Sequence, residues 1–162
     1  MKKEIQFTLL ILLATALFLG CATPKIWKSN PSIQRAENKY FFAQIASVGN
    51  EMGYDAFYLY IKNRTDKDLK IDWDKTFYIR GGQKSGGFMF EGVDPKERHN
   101  SRPPDIIPPR GYISKTIWPV DLATDLEHMK MGEGENGIYL SIMVDGEEIN
   151  EEIVVDLYRG TK

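Results

Sequence analysis

Cysteine is almost missing from this chain: the 162 residues contain one, Cys21. A single thiol excludes an internal disulfide, a Cys-x-x-Cys redox pair and a zinc site built on paired cysteines. Histidine is nearly as scarce. His99 and His128 are the two present, and neither has a second histidine four residues away, the spacing that puts two imidazoles on one helix face around zinc. Basic residues are not in excess either, with 21 Lys and Arg against 23 Asp and Glu, so the charge that attracts a phosphate backbone is missing. No Gly-x-Ser-x-Gly elbow occurs, and Ser101, two residues from His99, reads as a neighbour in a polar loop. Lys84-Ser85 lies among glycines, but Gln83 stands where a phosphate-binding loop needs Gly and no helical pattern follows. The expectation is a chain that is not an enzyme, holds no cofactor and binds no nucleic acid.

Long apolar runs are also rare, and the one present is at the start. After Met1-Lys2-Lys3-Glu4 the stretch Ile5–Leu19 has 15 residues, three of them polar. That falls short of the roughly 20 apolar residues needed to cross a bilayer and has the length and basic tip of a secretory leader. It runs into Leu17-Phe18-Leu19-Gly20-Cys21, which resembles the lipobox of bacterial lipoproteins, with Phe18 where that family usually has Leu. The resemblance implies cleavage before Cys21, a diacylglyceryl thioether on its sulfur and usually an N-acyl chain. Two or three acyl chains hold a protein on a membrane without a spanning helix. Ala22 follows where an inner-membrane retention signal would place Asp, so the family's sorting rule implies the outer membrane, facing the periplasm.

Removing residues 1–20 takes Lys2, Lys3 and Glu4 with it and leaves 142 residues with a formal charge of −3, enough for one domain. Three segments are expected: a leader over 1–20, a lipidated and flexible tether over 21–37, and a folded domain over 38–162. The tether reading rests on Pro24, Pro31 and the lack of periodicity. Trp27 within it has two open readings, contact with the bilayer interface or folding back onto the domain.

Beyond the tether, period two dominates. Tyr40–Val48 is rich in aromatic and branched residues. From Tyr54 to Lys62, Phe57, Leu59 and Ile61 alternate with Tyr58 and Tyr60. Asn63–Asp68 turns the chain, since Asn and Asp side chains bond to nearby backbone. Leu69, Ile71 and Trp73 alternate with Lys70, Asp72 and Asp74, as a half-buried strand does; Phe77 and Ile79 continue the pattern. Gly81–Gly87 reads as a loop before Phe88-Met89-Phe90. Tyr112–Trp118 is a further strand whose inward face is left open by Lys115 between Ile113 and Ile117. Ile138, Leu140, Ile142 and Val144, then Asp145-Gly146, then Ile149, Ile153, Val155 and Leu157 form a β-hairpin signature with a type I′ turn. The one helical candidate runs from Asp121 to Met131. Seven to eight strands of this kind predict an all-β, immunoglobulin-like antiparallel sandwich, with a barrel as the alternative.

The run Phe57–Leu69 followed by Ile71-Asp72-Trp73 resembles the second and third strands of immunoglobulin-like modules in bacterial lipoproteins, where a polar turn containing Asn joins two apolar strands. The likeness covers residues 54–119 at most and implies architecture; it brings no catalytic residues.

Two places are candidates for function. Asp72 and Asp74, at i and i+2 on one strand face, have a spacing suited to a hard cation or an acid and base pair, although such cation sites normally draw three or more oxygens from a loop. The segment Glu91–Arg110 is longer than most loops in compact domains and carries Arg98, Arg102, Ile106, Ile107 and Arg110 as candidate partner-binding residues. Ile106 and Ile107 either cap the open end of the sandwich, the favoured reading, or are presented to a partner. The leading expectation is a membrane-anchored binding or assembly module that contacts another envelope protein. The alternative is a lipoprotein that binds a small ligand or divalent ion, with weak hydrolysis allowed.

Overall fold

A computed structural model describes residues 24–122 and 129–161. The leader, Cys21, His128 and most of the helical candidate lie outside the described residues. Of that candidate, Asp121 and Leu122 belong to a 3-10 turn at Val120–Leu122, and Met129–Met131 is not helical.

Two antiparallel sheets pack face to face as a sandwich. The strands are β1 (Lys25–Asn30), β2 (Ile33–Glu37), β3 (Phe41–Asn50), β4 (Gly53–Asn63), β5 (Leu69–Ile71), β6 (Phe77–Arg80), β7 (Gln83–Ser85), β8 (Phe88–Phe90), β9 (Asp105–Ile107), β10 (Tyr112–Pro119), β11 (Gly134–Val144) and β12 (Glu147–Thr161). One sheet has the order β2-β3-β4-β10-β8. The other has β1-β12-β11-β5-β9, with β6 also paired to β11 and β7 to β6. Within them, β3-β4-β10-β8 facing β5-β11-β12 reproduces the ABED and CFG strand order of immunoglobulin domains. The additional strands are short or lie at the margins.

Alternation explains the long strands. Phe57, Leu59 and Ile61 of β4 are buried, and Tyr58 between them is exposed. Ile138, Leu140, Ile142 and Val144 of β11 meet Ile153, Val155 and Leu157 of β12 in the same core. The turn between them has Asp145 at φ 55° and Gly146 at φ 87°, the two positive values a type I′ turn demands. At Gly137 the strands approach so closely that a Cβ would lie 2.3 Å from the Ile153 carbonyl oxygen.

The expected tether is corrected. Lys25–Asn30 pairs with β12 across six positions, from Lys25↔Thr161 to Asn30↔Asp156. Ile33–Glu37 pairs with β3. Between them the chain passes from one sheet to the other through Pro31, whose peptide bond is cis, and so closes one side of the sandwich. These strands escape a periodicity search because both lie at sheet margins, where no side chain is fully buried. Trp27 folds back: it packs on the core, with the Arg159 guanidinium over its ring at 5.0 Å.

A second correction concerns the Asp72–Asp74 strand. Pairing of β5 to β11 ends at Ile71↔Ile142 and that of β6 resumes at Phe77↔Tyr139, so residues 72–76 bulge away from two residues of β11. Thr76 holds the bulge by donating its hydroxyl to the Asp72 carbonyl and accepting the Ser141 amide. Trp73 still turns inward and is 3 % exposed.

Candidate functional site

The side of the sandwich opposite β1 and β2 is built differently. The chain leaves β7 for β8 through Gly86 and Gly87, and these two residues stitch the sheets together. The Tyr78 amide donates to the Gly86 carbonyl and the Val120 amide to the Gly87 carbonyl. After β8 the chain returns to the other sheet through residues 91–104, including a 3-10 turn at Pro95–Glu97. Between these crossings lies a cleft of about 360 Å³, walled by Trp73, Phe77, Phe88 and Val120 and rimmed by Asp74, Asp121 and residues 98–102.

Asp74 determines where the rim sits. Its carboxylate accepts the Ser101 hydroxyl and, at 2.9 Å, the Arg102 amide. These two bonds, Ser101 first, hold its pKa below the ordinary 3.8, with the nearby Arg102 charge adding to the effect and burial opposing it. Asp121 plays the matching part on the other wall, accepting the Ser85 hydroxyl and the Gly86 amide.

The two candidate places are therefore joined, though not as the sequence suggests. Asp74 meets the 98–102 segment, whereas Asp72 accepts the Asp74 amide at 3.2 Å and lies 3.9 Å from the Lys75 ammonium. Its carboxylate does not line the cleft. Among the described residues no group of three or more His, Cys, Asp or Glu converges as a metal site.

Arg98 and Arg102 line the cleft together with His99. The other candidate residues lie elsewhere. Ile107 is fully buried and pairs in β9 with Leu69, while Ile106 is 57 % exposed. Arg110 stands at the far end, with φ 60° and an ion pair to Asp66 at 2.9 Å.

Sequence reasoning missed the residues that hold β9 and the residue after it in place. Asn63 is fully buried, and its amide nitrogen donates to the carbonyls of Lys67, Ile107 and Pro108. Lys115 turns inward from β10 to pair with Asp105, its ammonium 4.0 Å from the centre of the Phe90 ring. Asp105 also accepts the Trp73 indole N–H at 2.9 Å. A lone lysine between two isoleucines is the signal that marked this place.

Among the described residues no helix is long and apolar enough to cross a membrane. Neither a protein-family model, nor a curated protein, nor a solved structure matches this chain.

Proposed function

We propose that this chain is a lipid-tethered, non-catalytic binding module of the bacterial envelope, with Cys21 as the acylated residue and the cleft beside Trp73 as its recognition site. The observation that supports this reading is the cleft itself, a concave site with apolar walls and a polar rim, which is how sites for small molecules are made. Of the two occupants that the sequence allows, an envelope protein or a small ligand, its volume favours the ligand. Of the two isoleucines on the 91–110 stretch, Ile106 is exposed and Ile107 buried, which is little apolar surface for a protein partner.

Gly86 and Gly87 line the cleft, and the carbonyl of each accepts a backbone hydrogen bond. A Cβ on Gly87 would meet only the Thr76 carbonyl oxygen, at 3.9 Å, so Gly87→Phe is a means of filling the cleft while leaving the backbone alone. Native mass spectrometry of the full chain extracted from its own envelope is the test. A low-mass species is expected on the wild type and absent from Gly87→Phe, with diacylglycerol on Cys21 in both. A wild-type chain without a bound species, or one that Gly87→Phe retains equally, overturns the reading of the cleft. A membrane-bound Cys21→Ser chain overturns the tether.

A further inference from the structure

We infer that the cleft selects a carboxylate with an apolar body, taken by the side-on fork of Arg102; this deepens the binding reading above and rests on it. Nε and Nη2 of Arg102 are shielded from solvent and have no hydrogen-bond partner among the described residues. A guanidinium cannot lose its proton to escape burial. A buried donor without a hydrogen-bond partner is unfavourable, and the nearby Asp74 charge offsets only part of that cost.

The unsatisfied atoms form a pattern. Nε and Nη2 lie on the same edge of the guanidinium plane, and their N–H bonds point in parallel, the arrangement that takes both oxygens of one carboxylate. The carboxylates that rim the cleft are committed elsewhere. Asp74 accepts the Ser101 hydroxyl and the Arg102 amide, and Asp121 accepts the Ser85 hydroxyl and the Gly86 amide. The backbone bond from Arg102 to Asp74 thus fixes the base of the side chain while leaving its fork unpaired. Asp74 repels any anion, and an aryl carboxylate, unlike inorganic phosphate, offsets that repulsion with the apolar surface it buries.

Because the fork is shielded, an anion reaches it when the 98–102 segment yields. The bonds that hold that segment include the two to Asp74 and the Asn100 amide to the Glu97 carbonyl at 2.9 Å.

The test is titration of the full chain in detergent with phenylacetate, its neutral isostere phenylacetamide and inorganic phosphate, followed by calorimetry and tryptophan emission. Phenylacetate is expected to bind at least tenfold more tightly than either comparator. Arg102→Gln should abolish that preference, and Arg102→Lys, which keeps the charge but not the fork, should lose most of it. Without ligand, Arg102→Gln should raise the melting temperature by about 2–4 °C, the shift that relief of roughly 1 kcal/mol gives in a chain of this size; a guanidinium paired within the fold would lower it. Equal binding of phenylacetate and phenylacetamide, both blocked by Gly87→Phe, overturns the anion inference and leaves the cleft reading standing. Binding of phosphate in preference to phenylacetate, or a lowered melting temperature in Arg102→Gln, also overturns it. If neither aryl compound binds while a native species does, the ligand class is wrong and the cleft is right.

Discussion

At the scale of single residues, the buried polar side chains decide more than their number suggests. Tyr78 is 1 % exposed and donates its hydroxyl to Asn136, whose amide nitrogen donates in turn to the carbonyls of Gly132 and Gly134. Burial pushes the Tyr78 pKa up to about 12. A phenol whose folded pKa exceeds its unfolded value keeps its full contribution to stability below the unfolded pKa, here 10.0, and loses it as pH rises towards the folded one. Stability should accordingly fall between pH 10 and 12, and spectrophotometric titration should show a late step near pH 12 for Tyr78. Tyr78→Phe should remove that late step and cost about 1–3 kcal/mol in urea unfolding, because the Asn136 oxygen is left buried without its donor. A titration that is the same in the wild type and in Tyr78→Phe would refute the assignment. Such residues are hard to find in a sequence. Tyr78 looks like one more member of an alternating strand, and Asn63 like an ordinary turn residue, because the carbonyls it joins lie 44 and 45 residues away.

At the scale of elements, the strands with a buried face were legible and the marginal ones were not. Alternation marks β3, β4, β11 and β12, and Asp145-Gly146 gives both the turn and its handedness. Trp73 shows where alternation misleads. It keeps the inward parity of Leu69 and Ile71 yet sits in a bulge, since parity records which way a side chain points and not whether the backbone is paired. The Asp74–Ser101 bond was illegible for another reason: a contact 27 residues long between two loops leaves no period to detect. The β11–β12 hairpin gives a sharp test. Gly137 sits opposite Val154, and Gly137→Ala would place its methyl carbon 2.3 Å from one backbone atom and 2.7 Å from another. Neither neighbour is a flexible side-chain end, so the strands must part, at a cost of about 3 kcal/mol. A lowered urea midpoint with strand signal lost at residues 153–155 in hydrogen exchange is the expected result; an unchanged midpoint would contradict the close approach.

At the scale of the whole molecule, the sandwich has two unlike sides. One is sealed by β1 and β2 as they pass between sheets; the other is stitched by Gly86, Gly87 and the returning segment, leaving the cleft. This asymmetry follows from the stretch that sequence reading treats as a tether, so its membership of the fold is worth testing directly. Trp27→Ala should lower stability by about 1–2 kcal/mol in denaturant unfolding, from the apolar surface a half-buried indole loses. No change would return residues 25–30 to the status of a linker.

The pairing of β1 with β12 also has a mechanical side. Cys21 precedes Lys25 by four residues, a reach of about 14 Å at full extension, so an acylated cysteine would keep the Lys25 and Thr161 end of the sandwich against the lipid and hold the Asp145-Gly146 tip outermost. Tension on such a leash would act along β1, loading its six residue pairs with β12 simultaneously in shear. A hairpin pulled from its open end would instead yield one rung at a time.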